Sequence, residues 1–156
     1  MADMLVKLFE LPPLEPALQR VHAEGVTIRR ALVPERPVVI DWVRHPYAAW
    51  LAEVDVAFAR EPVHCIIAIR GAELLGFAVH DVVCRNFFGP MAVAPAARTR
   101  GIGRALVLST LHAQRAMGYA YAIIGGVGPA DFYARVAGAT PIAESTPGVY
   151  AGMLRA

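Results

Sequence analysis

The stretch Arg98-Thr99-Arg100-Gly101-Ile102-Gly103-Arg104 decides the fold of this chain. It follows a short apolar run, Phe87–Val93, typical of a strand, and it opens a helical pattern that begins near Ile102. Backbone amides at a helix start have no intrahelical acceptor, and the helix dipole leaves them partly positive. Glycines allow a ligand to approach the backbone, and arginines add charge and bidentate donors. The stretch therefore predicts a binding site for a phosphate-bearing anion.

The arginines in this stretch have a simpler interpretation, as solvated side chains on the surface. Cations oppose the dipole at a helix start, however, so three of them there are hard to explain without a compensating anion. Each charge-assisted hydrogen bond contributes roughly 1.5–3 kcal/mol, whereas the dipole contributes about 0.3–1 kcal/mol. Several such bonds outweigh the dipole, and a pyrophosphate has enough oxygens to accept them.

Two common phosphate-binding loops do not fit the stretch. A P-loop needs Lys-Ser or Lys-Thr after its last glycine, and here Arg104-Ala105 follows Gly103. A dinucleotide fingerprint needs a small third residue where Leu106 stands, and a ribose-binding acid after a second strand. Both classes are therefore excluded.

The remaining pattern, Arg-x-x-Gly-x-Gly after Val93-Ala94-Pro95, resembles the acetyl-CoA loop of the GCN5-related N-acetyltransferase (GNAT) superfamily. Downstream, Ala130–Ala139 is similar to the superfamily's Phe-Tyr-x-x-x-Gly-Phe helix end, with one extra residue before the glycine. Upstream, Glu73–Val79 is similar to its third strand. The three segments agree in order and spacing across roughly residues 26–140.

The resemblance implies acetyl transfer from acetyl-CoA to an amine, with no metal. It implies that the backbone of Met91, Ala92 and Val93 binds the pantetheine arm in a splayed opening of the sheet. It implies that the loop holds the pyrophosphate through Arg98, Thr99, Arg100, Gly101, Ile102, Gly103 and Arg104. It assigns Tyr133 as the acid that protonates the leaving thiolate, although a packed tyrosine is the simpler alternative.

A general base is not evident from the sequence. His80 and Asp81 on the third strand and Glu144 in the tail are candidates, and for each a structural or solvated role is the simpler reading. Tyr150 is a possible substitute acid. Trp42 and Trp50 are expected to be core residues or walls of the acceptor pocket.

Composition narrows the class of protein. With 156 residues the chain is expected to form a single domain, 1–156. Its apolar fraction of 56% without a membrane-length run favours a buried interface, so we expect a homodimer, which sedimentation can check. No secretion signal is evident, and we expect a cytoplasmic protein with no membrane partner. A net charge of +2 and no aromatic residues among the clustered arginines argue against nucleic-acid binding.

The cysteines and histidines indicate no special chemistry. Cys65 and Cys84 lie in apolar, strand-like contexts without metal-ligand spacing, and two buried thiols are expected. The five histidines show no ligand spacing either.

The predicted fold class is mixed α/β, a GNAT-like central, mostly antiparallel twisted sheet flanked by helices. Strands are predicted at Met4–Phe9, Val26–Ala31, Val63–Ile69, Leu74–Val83, Phe87–Val93 and Tyr119–Gly125, the last buried on both faces. Helices are predicted at Glu15–Glu24, Val38–Arg44, Tyr47–Phe58, Ile102–Met117 and Ala130–Val136. The tail, Thr140–Ala156, is ambiguous. Gly89-Pro90 predicts a bulge that splays its strand.

Three functions fit these expectations. The first is an acetyl-CoA-dependent N-acetyltransferase acting directly on a primary amine of a small molecule. The second is a catalytically silent acyl-CoA-binding module, against which the presence of Tyr133 argues. The third is transfer to protein N-termini or lysines, for which no acidic run provides a peptide groove.

Overall fold

The computed structural model describes residues 1–98 and 100–155. Strands are β1 Met4–Lys7, β2 Thr27–Arg30, β3 Cys65–Arg70, β4 Glu73–His80, β5 Phe87–Val93, β6 Tyr121–Ile124 and β7 Thr140–Pro141. Helices are α1 Glu15–Ala23, α2 Arg36–Tyr47, α3 Leu51–Phe58, α4 Ile102–Ala116 and α5 Ala130–Ala137. Short 3₁₀ turns include Leu8–Glu10, Ala48–Trp50, Pro95–Ala97 and Gly148–Tyr150. No helix of the described residues is long and apolar enough to cross a membrane.

The strands form one sheet in the order β2-β3-β4-β5-β6-β1-β7. All neighbouring pairs are antiparallel except β5 and β6, which are parallel. Strands β2 to β5 are neighbours in chain order. Short connections favour the antiparallel pairing of β3 with β4, at Gly71-Ala72, and of β4 with β5, whereas α2 and α3 lie between β2 and β3. The mixed α/β fold class with a mostly antiparallel sheet is therefore confirmed.

Helices cover both faces of the sheet and enclose two hydrophobic cores. On one face α1, α4 and α5 bury residues such as Val21, Leu106 and Val136. On the other face α2 and α3 pack residues such as Val43 and Val54. Helix α4 is the central element of the first core, because its apolar positions recur at helical spacing and eight of its residues are buried.

Strands β5 and β6 pair over only two residues of each strand and then separate. Phe87 and Phe88 pair with Ile123 and Ile124, whereas residues 89–93 of β5 have no described partner on that side. The pairing of β4 with β5 shifts register between Ala78 and His80, opposite Gly89-Pro90. The predicted bulge is present, and the sheet opens next to it.

The N-terminal strand lies far from its neighbours in the sequence. β1 is inserted between β6 and β7, with Met4 opposite both Ile124 and Pro141. The predicted strand Met4–Phe9 therefore ends earlier, at Lys7, where the chain turns into the 3₁₀ helix Leu8–Glu10.

Several expected boundaries and burials were wrong. β4 ends at His80 rather than Val83, because the carboxylate of Asp81 accepts the Asn86 amide and turns the chain. β6 is not buried on both faces, since Tyr121 is 45% exposed. Cys84 is half-buried, so only Cys65 is the buried thiol that was predicted.

Candidate active site

The opening between β5 and β6 contains two adjoining cavities that share the side chains of Trp50, Met91, Pro129 and Tyr133. We call the first the loop cavity, and its volume is about 440 Å³. Besides the shared four, it is lined by Arg20, Tyr47, Ala92, Val93, Arg98, Gly101, Gly103, Arg104 and Phe132. We call the second the tail cavity, about 350 Å³, which is lined by Met1, Glu53, Val83, residues 87–90, residues 124–128 and Tyr150 besides the same four.

The bend before α4 forms the end of the loop cavity. Gly101 has a φ of +80° and directly precedes the helix, a backbone conformation that favours glycine. A Cβ atom at Gly103 would lie 3.4 Å from Cζ of Phe132, so its absence keeps this part of the cavity open. The first amides of α4 lack intrahelical acceptors at this end. The local geometry therefore suits an anion that approaches the backbone closely.

Three arginines line this cavity. Arg98 donates to the Val93 carbonyl at 3.2 Å and to the Tyr47 hydroxyl at 3.4 Å, which orients it along the end of β5. Arg104 enters from the first turn of α4. Arg20 comes from α1 and covers the bend, since its Nε would lie 3.1 Å from a Cβ at Gly101. Sequence reasoning missed Arg20, because nothing local links α1 to the loop.

Some of the residues predicted to bind the coenzyme line the loop cavity and others do not. Met91, Ala92, Val93, Arg98, Gly101, Gly103 and Arg104 line the loop cavity. Arg100 is exposed and does not line it, and the Ile102 side chain is buried in the core, so Ile102 can contribute only its backbone. Thr99 lies outside the described residues.

Tyr133 lies where the two cavities meet. It is held on α5 with 7% of its surface exposed, and its ring packs edge-to-face on Phe88 and Phe132 at centroid distances of 5.9 and 5.1 Å. Burial raises its pKa to about 12, so the phenol keeps its proton at neutral pH. A neutral phenol at this junction can donate a proton to a group bound in either cavity.

Aromatic residues and glycines make up about half of the residues that line the tail cavity. Trp50 stacks on Tyr47 with a centroid distance of 4.9 Å and an interplanar angle of 6°, which fixes its position. Tyr150 comes from the C-terminal 3₁₀ turn, and its hydroxyl would lie 3.6 Å from a Cβ at Gly125. Burial, with the negative charges of Glu53 and Asp3 adding to it, raises the pKa of Tyr150.

The ambiguous tail is held in place by the N-terminal segment. Asp3 is buried, and its carboxylate accepts the Gly126 amide at 2.8 Å. Its own amide donates to Ser145 Oγ at 2.8 Å, and its carbonyl accepts the Ile142 amide. Asp3 therefore links the floor of the tail cavity to the segment that carries Tyr150.

None of the candidate bases lines either cavity. His80 and Asp81 are buried, where His80 Nδ1 lies 2.6 Å from Asp81 Oδ2 and the His80 ring stacks on His64 at 4.3 Å. Glu144 is exposed in the tail. These positions agree with the simpler interpretation, a structural role for His80 and Asp81 and a solvated one for Glu144.

His64, His80 and Asp81 form the group that the histidine spacing did not predict. Their potential ligand atoms lie within 4.8 Å of one another, and His64 Nδ1 and His80 Nε2 have no partner among the described residues. The two imidazole rings lie 18° from parallel, so their in-plane lone pairs do not converge on one point. The group therefore fits a buried polar cluster better than a metal centre.

Asp81 holds the β4–β5 connection from within this cluster. Burial alone would raise the pKa of Asp81, but hydrogen bonds from His80, the Asn86 amide and Tyr119 together keep that pKa below its ordinary value. Both Asp81 and Asn86 have positive φ, near +55°. The connection that they shape carries Val83 to the wall of the tail cavity.

The sheet opens beside a glycine-bounded helix start, with a buried tyrosine at the opening, as the resemblance to the acetyl-CoA loop implies. Residues 26–138 match the model of the Acetyltransferase (GNAT) family. The match covers most of the chain, which therefore belongs to this family, whose members carry out acyl transfer from acetyl-CoA. The resemblance read from the loop is confirmed.

Solved structures agree in fold. The chain is similar to a GCN5-related glucosamine N-acetyltransferase region of a fungal multi-domain GH3 β-N-acetylglucosaminidase, with 16% identity and a TM-score of 0.75. It is also similar to a GCN5-related N-acetyltransferase from Sphaerobacter thermophilus, with 17% identity and a TM-score of 0.67. Each match covers 90% of this chain but only 19% and 48%, respectively, of the other. No curated protein sequence matches the chain significantly.

The described residues fit acetyl-CoA in the loop cavity. The open edge of β5 offers backbone groups along Met91 to Val93, and three arginines with the start of α4 offer donors to phosphate oxygens. The cavity continues to Tyr133, so a ligand that fills it from the loop end reaches the junction with the tail cavity.

Proposed function

We propose that this protein is an acetyl-CoA-dependent N-acetyltransferase that transfers the acetyl group directly to a primary amine of a small molecule. One observation carries the proposal: Tyr133 is shared by two adjoining cavities, one lined by arginines and one by aromatic rings. Such an arrangement accommodates two reactants that meet at one proton donor.

The loop cavity would hold acetyl-CoA by its diphosphate. Arg20, Arg98 and Arg104 gather around a helix start, where the dipole disfavours cations unless an anion compensates them. Bound there, the coenzyme supplies an acetyl thioester, whose carbonyl carbon is the electrophile.

The tail cavity would hold the amine. An aliphatic ammonium with a pKa near ~10.4 must lose a proton before its nitrogen can attack. The N–C bond then forms as the C–S bond breaks, the acylated nitrogen releases its extra proton to water, and the departing sulfur takes a proton. Tyr133 can donate its phenolic proton to that sulfur and recover one from water. General acid assistance of this kind contributes roughly 10²–10⁴ to a rate.

Calorimetry with acetyl-CoA, followed by thiol release across a panel of small amines, tests the proposal. We expect heat on binding and thiol release with at least one amine. Binding without turnover on any amine would support a catalytically silent acyl-CoA-binding module instead. A folded protein that shows neither heat nor a thermal shift with coenzyme A would contradict both functions.

A further inference from the structure

Glu53 carries the only charged side chain among the residues that the structure describes around the tail cavity. It lies half-buried in the first turn of α3, and it has no hydrogen bond or ion pair with another described residue. An acidic residue at a helix start is favourable by itself, but that effect does not require it to line a cavity. A half-buried carboxylate without a partner is stabilised by binding a cation.

Neighbouring acidic residues behave differently. Asp55, two residues further along α3, pairs with Arg36 of α2. Glu35 pairs with Arg29, and both of its oxygens accept hydrogen bonds. Arg36 and Arg29 are therefore already matched with other carboxylates, whereas Glu53 lines the cavity.

Aromatic rings complete the surroundings of this carboxylate. Trp50 is one helical turn before Glu53 and is fixed by its stacking on Tyr47. Tyr150 faces the same cavity from the C-terminal turn, close enough for the charge of Glu53 to act on its hydroxyl. Aromatic faces together with a carboxylate are the usual surroundings of a bound ammonium.

Glu53 does not belong to the wall that the two cavities share. That wall consists of Trp50, Met91, Pro129 and Tyr133, so the amine that reacts must come to it. A cation at Glu53 would therefore be a second group of the acceptor, apart from the reacting nitrogen.

We propose that the acceptor is a compact molecule with two amines, and that Glu53 binds the ammonium that is not acetylated. This inference rests on the proposed N-acetyltransferase function. Glu53 acts as a specificity-determining residue: its carboxylate accepts hydrogen bonds from the distal ammonium, and the spacing between the two amines selects which nitrogen reaches the junction beside Tyr133.

A chain-length series of amines tests this inference. Linear α,ω-diamines from ethylenediamine to hexamethylenediamine are compared with monoamines of the same chain length, by thiol release in the presence of acetyl-CoA. In the wild-type protein we expect kcat/KM to be about tenfold or more higher for the best diamine than for its matched monoamine. The length at the optimum reports the distance between Glu53 and the reacting nitrogen.

Glu53→Gln should abolish that preference. We expect kcat/KM for diamines to fall about tenfold, through KM, and kcat/KM for monoamines to fall less, because an amide keeps the shape but loses the charge that only the distal ammonium needs. Glu73→Gln, on the exposed β3–β4 hairpin, serves as the matched control and should change neither class. Acetyl-CoA calorimetry and thermal unfolding of each variant establish that it is folded and binds coenzyme.

The outcomes are distinguishable. Equal loss of kcat for monoamines and diamines in Glu53→Gln would identify a general base and overturn the binding role. Turnover of monoamines with no diamine preference in the wild type would overturn this inference and leave the N-acetyltransferase function in place. No acetylation of any amine would overturn the function, and the inference with it.

Discussion

The two cavities meet at Tyr133 but are built in different ways. The loop cavity takes most of its lining residues from one stretch of the chain, from the end of β5 to the start of α4. The tail cavity takes its surface from the N-terminus, α3, the β4–β5 connection, the residues after β6 and the C-terminal turn. A ligand common to a whole family can be bound by a local motif, whereas a site assembled from distant segments can change with each of them.

The largest expected effect concerns the residue that both cavities share. Tyr133→Phe should lower kcat tenfold or more with little change in acetyl-CoA affinity, because the substitution removes a proton donor and keeps the ring. Tyr150→Phe, which alters only the tail cavity, is the matched comparison and should act mainly on the KM for the amine. Steady-state kinetics and calorimetry on both variants check this. An unchanged kcat in Tyr133→Phe, with a large loss in Tyr150→Phe, would reverse the assignment.

A smaller effect is expected on coenzyme A binding, from a residue that lines the loop cavity but not the tail cavity. Arg20→Ala should weaken coenzyme A binding about fivefold to tenfold, because it removes one charged donor, partly screened by solvent, from an anion site. The effect should shrink at high salt. Arg115→Ala, an exposed arginine at the other end of α4, is the control and should bind coenzyme A like the wild type. Equal affinities for Arg20→Ala and wild type would remove Arg20 from the site.

The smallest expected effect is a pH dependence of stability that arises outside both cavities, at His64. Burial, with the nearby His80 adding to it, lowers the pKa of His64. The unfolded chain therefore takes up a proton near pH ~6.5 before the folded protein does, and the free energy of unfolding falls as the pH drops below that value. Urea unfolding between pH about 7.5 and about 5 measures the slope.

His64→Phe should flatten this slope, since it removes the group while keeping a ring against His80. His22→Phe, at an exposed position on α1, should leave the slope unchanged. If both variants keep the wild-type slope, the acid sensitivity arises elsewhere.

The sequence predicted the parts of the site that are local. A sequence pattern that fixes backbone geometry within a few residues predicts three features. These are the Gly-Arg bend, the strand before it and the position of Tyr133 on its helix. Arg20 and Glu53 could not be assigned, and Tyr150 only as a possible substitute acid, because these residues reach the cavities through tertiary packing of α1, α3 and the tail.

The His64–His80 contact shows why the residue pairing in a hairpin cannot be predicted from its turn alone. The turn at Gly71-Ala72 pairs Arg70 with Glu73, a register that would bring His64 opposite Val79. A shift between Ala68 and Ile69 moves the pairing by one residue, so that Cys65 faces Val79 and His64 meets His80. A slip of one residue exchanges the two faces of a strand, and no residue in this stretch marks the shift.

The insertion of β1 between β6 and β7 also imposes an order on folding. Leu5 pairs with Ile123 and Thr140, which are synthesised long after it. Contacts of such long sequence separation are slow to form, because the entropy of closing the loop precedes any gain. Strand β1 therefore stays unpaired during synthesis until β6 and β7 have been made, and we expect its insertion to be a late step in the formation of this sheet.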